Sequence, residues 1–265
     1  MIELQDIALS YGDGTSHRRT VLDRVALHVA ESEFICVLGP SGCGKTSLLN
    51  LVAGFVAPCA GTVLFDGMPV TRPGPDRGVV FQDASLFPWM TVRRNVAFGL
   101  QQTACPRSEV DTRVATALAT VGMRGHEEAY PHALSGGMRQ RVAIARVLAL
   151  EPAALLMDEP FSALDANTRE RLQDELLRIW EAHRRTVMYV THSVEEAAYL
   201  GDRVVVMGPP PQSLKCELTV GLPQPRDRSS DALRDVQRRL RRELDRLPCC
   251  VFDDTAQHQR KGTSR

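Results

Sequence analysis

Residues 39–46 have the pattern GxxxxGK[ST], which is typical of a loop that binds nucleotide phosphates. Glycines let successive backbone N–H groups turn inward, and a following helix adds unpaired N–H groups and the positive end of its dipole. Lys45 is expected to reach the β- and γ-phosphates, and Thr46 to ligate Mg²⁺. The predicted nucleotide contacts are Gly39, Pro40, Ser41, Gly42, Cys43, Gly44, Lys45, Thr46 and Ser47.

The alternative is an ordinary glycine-rich turn. The flanking sequence favours the phosphate loop, because the apolar residues 34–38 are typical of a buried strand and residues 48–52 are compatible with a helix. A strand before the loop and a helix after it are the context that phosphate binding requires.

Two carboxylates, Asp158 and Glu159, follow the apolar residues 154–157. The carboxyl ends of parallel strands face the crevice where ligands bind. Asp158 suits a water-mediated contact to Mg²⁺, and Glu159 suits a general base that aligns the attacking water. A solvated acidic loop is the alternative, and the buried strand before the pair argues against it.

A second candidate anion site precedes an alanine-rich helix. Ser135, Gly136 and Gly137 stand at its start, where small residues let a phosphate approach the backbone N–H groups. Ser135, Gly136 and Gly137 are therefore predicted phosphate contacts. A simple Ser-Gly-Gly helix cap would explain the same residues.

The elements that must position these side chains indicate an α/β fold. Residues 1–30 and the hairpin pattern at 62–70 predict an antiparallel sheet. Buried strands are predicted at 78–81, 154–157, 187–190 and 204–207, with helices between several of them, which indicates a parallel sheet. Residues from about 83 to 135 are mostly helical in pattern and predict an inserted helical subdomain.

The charge balance, the cysteine spacing and the length of the apolar runs limit the classes of function that this chain can have. Lys plus Arg and Asp plus Glu both number 32, so charge gives no support to a nucleic-acid partner. The seven cysteines are scattered without a CxxC pair, which suggests a reducing compartment. The sequence shows neither a signal peptide nor eighteen consecutive apolar residues, so we expect a cytosolic chain that meets a membrane only through a partner.

Taken together, residues 1–208 resemble the nucleotide-binding subunit of an ATP-binding cassette (ABC) transporter. The resemblance implies a P-loop NTPase (RecA-like) core with an antiparallel β subdomain and an inserted α-helical subdomain. It also implies ATP and Mg²⁺ as cofactors, and it identifies residues 134–140 as the family signature. Further site residues follow by position: Tyr11 stacks on adenine, Gln82 senses Mg²⁺ and the membrane partner, Asp165 lies in the loop that crosses the dimer, and His192 contacts the γ-phosphate.

The resemblance also implies partners. In this family the signature of one subunit closes on the phosphate loop of another, so we expect a homodimer at the cytoplasmic face of the inner membrane, bound to two transmembrane permease subunits and served indirectly by a solute-binding protein. The signature departs from the family at Met138, where Gln is usual. Met lacks the amide hydrogen bonds of Gln, so activity is expected to survive with altered rate or coupling.

Residues 72–82 and 86–96 resemble the ATPases of the nitrate, sulfonate and taurine importer group, most of all its taurine branch. Phe87, Pro88 and Trp89 suit a socket for a helix of the permease, although core packing would also explain them. Taurine or a related alkanesulfonate is thus the expected solute. Nitrate or another small solute, a soluble non-transport ABC ATPase and a non-hydrolysing regulator are the alternatives.

The composition changes after residue 208, so the expected division is an ATPase domain at 1–208 and a C-terminal extension at 209–265. Leucines and a valine recur at helical spacing between 233 and 247 and predict one amphipathic helix. Docking of its apolar face is favoured over a membrane-surface role. A polar tail is expected from about residue 253.

Overall fold

The computed structural model describes residues 1–12, 19–103, 105–210 and 213–247, so the predicted polar tail lies outside the described residues. The strands are β1 Ile2–Tyr11, β2 Arg19–Val29, β3 Phe34–Leu38, β4 Ala60–Phe65, β5 Met68–Pro69, β6 Arg77–Val80, β7 Ala154–Asp158, β8 Thr186–Thr191, β9 Arg203–Met207 and β10 Leu214–Thr219. The helices are α1 Lys45–Ala53, α2 Val92–Gln101, α3 Arg107–Thr120, α4 Gly136–Leu148, α5 Ala166–His183, α6 Val194–Leu200 and α7 Asp231–Asp245, with a 3-10 turn at Pro131–Ala133.

These strands form two sheets. A four-stranded antiparallel sheet has the order β2-β1-β4-β5, and a six-stranded sheet has the order β10-β9-β3-β8-β7-β6. Within the larger sheet β10 runs antiparallel to β9, and all other neighbours are parallel. The expected α/β fold, with its antiparallel subdomain and its helical insertion, is confirmed.

The central strand β3 shows why the core holds together. All five of its residues are fully buried. Phe34, Cys36 and Leu38 pack on the side of the larger sheet that carries α2 to α7, whereas Ile35 and Val37 pack on the side of α1 and the smaller sheet. A strand buried on both faces reads as a continuous apolar run, as parallel strands do.

The order of the larger sheet positions the candidate site. β3, β8 and β7 are neighbours, and their carboxyl ends lie at one edge. The phosphate loop follows β3, Asp158 ends β7, and His192 follows β8. Residues far apart in sequence therefore meet at the edge where α/β folds bind ligands.

The helical insertion begins with an anchored turn. Thr91 caps α2 by accepting from the N–H of Arg94. The side chain of Asn95 is fully buried, and its amide donates to the carbonyls of Phe87, Met90 and Thr91. One buried amide thus holds the loop before α2.

The C-terminal segment contains a strand that the sequence analysis did not predict. β10 pairs with β9 at the edge of the larger sheet, so this sheet continues past residue 208. Helix α7 packs on α6, β9 and β10 and buries Leu233, Val236 and Leu240. The apolar face of α7 is thus docked on the protein. Among the described residues, no helix is both long and apolar enough to cross a bilayer.

Candidate functional site

The phosphate loop has the geometry of an anion cradle. Gly42 and Gly44 adopt left-handed backbone conformations, with φ of 77° and 101°, which glycine reaches without a steric penalty. Gly44 caps α1 without a side-chain hydrogen bond. The first N–H groups of α1 are therefore left for an anion, which the helix dipole also favours.

Packing around the loop explains its first glycine and directs its lysine. A Cβ at Gly39 would lie 2.5 Å from the carbonyl oxygen of Met207, so a side chain cannot be added there without backbone movement. Lys45 is only 5% exposed, and its Nζ donates to the carbonyls of Gly39 and Pro40, each at 2.9 Å. The ammonium group is therefore held against the carbonyls of the phosphate loop.

Thr46 and Asp158 form the candidate Mg²⁺ position. The Thr46 hydroxyl donates to Asp158 Oδ1 over 3.2 Å, which joins the start of α1 to the end of β7. Burial raises the pKa of the Asp158 carboxyl, and neighbouring Glu159 adds to the rise, while Thr46 and Lys45 oppose it. A hydroxyl and a carboxylate beside a phosphate cradle are hard oxygen donors of the kind that Mg²⁺ accepts together with substrate phosphates, so these residues fit the ion.

Glu159 lies between a histidine and a lysine. Its Oε2 lies 2.8 Å from Nδ1 of His192, and its Oε1 lies 3.8 Å from Nζ of Lys45. The Glu159 backbone has a φ of 44° and is fixed by a bond from its N–H to the carbonyl of Val190. Strained, over-determined backbone of this kind clusters at functional sites. The carboxylate is thereby fixed at the edge that also carries the phosphate loop.

Gln82 lies in an exposed position two residues after β6. Its loop is attached to α4, because the buried side chain of Gln140 donates to the carbonyl of Phe81 over 3.2 Å. Arg146, six residues further along α4, donates to the carbonyls of Ala84 and Ser85. The sequence analysis included Gln140 in the signature without a role for its side chain, and it gave no role to Arg146. The only available signal was their polarity, which they share with Arg139 and Arg141 on the same helix.

Tyr11 lies at the end of β1, beside the first turn of α1. Its ring is 44% exposed, and its hydroxyl is 3.4 Å from Oγ of Ser47. The ring is available to an adenine above the phosphate loop, and the stacking itself stays a prediction.

The signature forms a separate surface at the start of α4. Ser135 caps α4 by accepting from the N–H of Met138, and both Ser135 and Gly136 are exposed. Gly137 is buried instead. A Cβ at this position would lie 2.7 Å from Cγ2 of Thr168 on α5, so α4 can approach α5 this closely because residue 137 has no side chain. Gly137 thus brings α4 close to α5, and the exposed backbone at Ser135 and Gly136 is the part open to a ligand.

Asp165 caps the neighbouring helix α5 and accepts from the N–H of Thr168 over 3.0 Å. This bond holds the pKa of the Asp165 carboxyl below its usual value. Met138, the departure from the usual signature, is half-buried and packs against the larger core. The structure therefore brings Lys45, Thr46, Asp158, Glu159 and His192 together, and it places Ser135, Gly136 and Asp165 on an exposed surface of adjacent helix starts.

The family model described as "ABC transporter" matches residues 22–162. An uncharacterized ABC transporter ATP-binding protein of Methanocaldococcus jannaschii is 51% identical over 84% of each chain. A nitrate import ATP-binding protein of Synechocystis is 50% identical over 76% of each chain. A bicarbonate transport ATP-binding protein of the same organism is 48% identical over 79% of this chain and 75% of its own.

Among solved structures, a dimeric ATP-binding cassette in a post-hydrolysis state with ADP and Pi superposes with a TM-score of 0.72. It is 31% identical and covers 83% of this chain and 98% of its own. The similarity extends beyond the matched family region to most of the chain, and it includes the edge that carries Glu159 and His192. The chain belongs to the ABC transporter family, as one of its ATP-hydrolysing subunits.

Proposed function

We propose that this chain drives import of a small oxyanion or oxyanion-bearing solute by hydrolysing ATP. The observation that carries the hydrolytic part is the arrangement of Glu159 between His192 and Lys45 at the edge that carries the phosphate loop. When bound, ATP supplies the γ-phosphate and Mg²⁺ supplies charge neutralisation between the phosphates. Thr46 and Asp158 would hold the ion.

The catalytic roles follow from this arrangement. Glu159 accepts the proton of the attacking water, and His192 keeps the carboxylate oriented toward that water. Lys45, which bonds to its own loop carbonyls in the structure, turns to the phosphates and offsets their charge. Gln82 reports the state of the site to the membrane partner through its exposed loop.

A homodimer supports this function better than a monomer. Ser135 and Gly136 expose backbone at a helix start, where a phosphate of a second subunit can bind. The related dimeric cassette with ADP and Pi supports this assembly. Each site then joins the phosphate loop of one subunit to the signature of the other, and Asp165 lies at the contact.

The contact with the permease is proposed at the loop before α2. Trp89 is 68% exposed, and its ring lies 5.6 Å from the ring of Phe87, which also neighbours Phe98 at 4.6 Å and the guanidinium of Arg146 at 5.9 Å. Phe87 therefore belongs to the packing of the helical subdomain, whereas Trp89 offers an aromatic surface to a partner helix. Through two permease subunits the dimer would be held at the cytoplasmic face of the membrane, and a solute-binding protein would act only through them.

The solute is proposed by class. The nitrate and bicarbonate relatives support a small oxyanion, and the taurine branch suggested by residues 72–96 shares this chemistry through its sulfonate group. Nitrate is better supported than taurine, because a relative that is 50% identical is named as a nitrate import ATP-binding protein. The solute binds other subunits, so its identity cannot be encoded in the phosphate loop.

Uptake in a strain that lacks this chain tests the proposal. We expect labelled nitrate, bicarbonate or taurine uptake to fall and to be restored by the wild-type chain but not by Glu159→Gln. If uptake of all three solutes is unchanged, the oxyanion class is wrong. If Glu159→Gln restores uptake fully, hydrolysis at this site does not drive it.

A further inference from the structure

A buried carboxylate lies behind the loop that carries His192. Glu196, on α6, is 6% exposed. It accepts hydrogen bonds from the Thr191 hydroxyl at 2.5 Å, from the Gln173 amide at 3.1 Å and from the Tyr189 hydroxyl at 3.3 Å. Burial and this carboxylate raise the pKa of Tyr189 well above its ordinary value, so the phenol remains a donor. A buried carboxylate needs such a set of donors.

The Thr191 hydroxyl fixes the backbone on both sides of His192. It donates to Glu196 and accepts from the N–H of Ser193 over 3.0 Å. Thr191 ends β8 and Ser193 caps α6, so the single residue between them has little freedom. The orientation of His192 toward Glu159 therefore depends on the position of Glu196.

The chain of contacts continues away from the nucleotide into the C-terminal segment. Gln173 lies on α5, is 2% exposed, and accepts from Arg228 Nη1 over 2.9 Å. Arg228 also donates to Asp174 at 2.7 Å and stands 3.5 Å over the ring of Tyr199. A continuous series of hydrogen bonds thus links the C-terminal segment to Thr191 and Ser193, the two residues that flank the candidate catalytic histidine.

We propose that Arg228 is a positioning residue for ATP hydrolysis that orients the His192 loop through the buried residues Gln173, Glu196 and Thr191. The inference rests on the proposed roles of Glu159 and His192. Arg228 fixes the amide of Gln173 so that its NH₂ group faces Glu196. Without that bond the amide is free to rotate, which withdraws a donor from a buried carboxylate and loosens its hold on Thr191.

Arg228 shares the docking of this segment with two other arginines of the described chain. Arg226 is 7% exposed and donates from Nη1 to the carbonyls of Ala198 and Tyr199 at the end of α6. Arg241 of α7 pairs with Glu195, which also accepts from the Ser193 hydroxyl. Arg226 and Arg241 thus attach the C-terminal segment to α6, and of these three arginines Arg228 is the one that bonds to Gln173.

The test compares two arginine substitutions in the full-length chain with Mg·ATP. Arg228→Met removes the outer end of the hydrogen-bond chain, and Arg241→Met is the matched control on the same segment. We expect Arg228→Met to lower kcat about tenfold with KM for ATP within about twofold, because misorientation of a catalytic group affects the transition state rather than binding. Arg241→Met is expected to keep kcat within about twofold.

Thermal unfolding and a double-mutant cycle exclude a purely structural effect. We expect both arginine variants to be folded at the assay temperature, with Arg228→Met melting at the lower temperature because it leaves the buried amide oxygen of Gln173 without its donor. We expect Arg228→Met to add little once Gln173→Met has broken the chain. Equal kcat values for Arg228→Met and Arg241→Met would overturn the proposal, as would additive effects in the cycle. Failure of the catalytic assignment is separate, since it would appear as an active Glu159→Gln variant.

Discussion

Replacement of Glu159 by Gln separates proton transfer from positioning at this site. The two side chains have nearly the same shape, and Gln can still hydrogen-bond Nδ1 of His192, which lies 2.8 Å from Glu159 Oε2. What Gln cannot do is accept a proton from water. General-base catalysis contributes roughly 10²–10⁴-fold, which corresponds to about 2.7–5.4 kcal/mol of transition-state stabilisation. We therefore expect turnover to fall at least about a hundredfold.

Nucleotide binding is expected to persist or tighten in the Glu159→Gln variant. The substitution removes a negative charge from the edge that carries the phosphate loop, and it frees Lys45, whose Nζ lies 3.8 Å from Glu159 Oε1, for the phosphates. The assay is steady-state phosphate release together with titration of ATP in the presence of Mg²⁺. Glu195→Gln is the matched control, since Glu195 is exposed near the same loop and pairs with Arg241.

Three results would contradict this reasoning. Turnover within about tenfold of the wild type would show that Glu159 does not supply base catalysis. An equal loss in Glu195→Gln would show that the effect is a general change of charge near the His192 loop. A loss of ATP binding in Glu159→Gln would indicate instead that the carboxylate helps to form the cradle.

Three further predictions use other parts of the site. Lys45→Ala should weaken ATP binding at least about tenfold, and an unchanged titration curve would mean that the loop does not bind phosphates as described. Asp158→Asn should raise the melting temperature at neutral pH while abolishing Mg²⁺-dependent hydrolysis. Burial raises the Asp158 pKa, so the folded state binds more protons than the unfolded state between the ordinary and the raised pKa, and wild-type stability falls as pH rises through that interval. The gain in melting temperature of Asp158→Asn over the wild type should therefore vanish at acid pH. The same gain at every pH would contradict this prediction. Trp89→Ala should leave ATPase activity of the isolated chain within about twofold and reduce co-purification with the permease, because Trp89 is 68% exposed; unchanged co-purification would place the contact elsewhere.

The residues that carry the chemistry of the site could be predicted because each motif is a short, continuous stretch of sequence. The phosphate loop, the Asp158–Glu159 pair and the signature each lie within a few residues of an apolar strand or helix, so type and context appear together in the sequence. The meeting of the phosphate loop and the Asp158–Glu159 pair at one edge followed from the parallel strands, whereas the signature lies on a separate surface at the start of α4. What could not be derived is the angle and contact of each side chain, such as the bond from Thr46 to Asp158.

Two features depend on tertiary packing and escaped prediction. β10 has an alternating burial pattern, but it is isolated between proline-containing segments, and its strand character comes from pairing with the exposed edge of β9. The chain from Arg228 to Glu196 joins three segments that are distant in sequence. A buried Gln or Glu looks like any surface residue until the helices around it are known.

The stability of the core and the chemistry of the site act against each other at the carboxyl edge of the sheet. Asp158 is a partly buried carboxylate whose charged form is disfavoured, Glu159 has a left-handed backbone, and Lys45 is a buried cation that bonds to its own loop. Each of these features costs free energy in the folded chain. They persist because β3, β7 and β8, whose residues are almost entirely buried, leave the edge no room to relax. Substitutions that relieve this cost, such as Asp158→Asn, are therefore expected to gain stability and lose hydrolysis together.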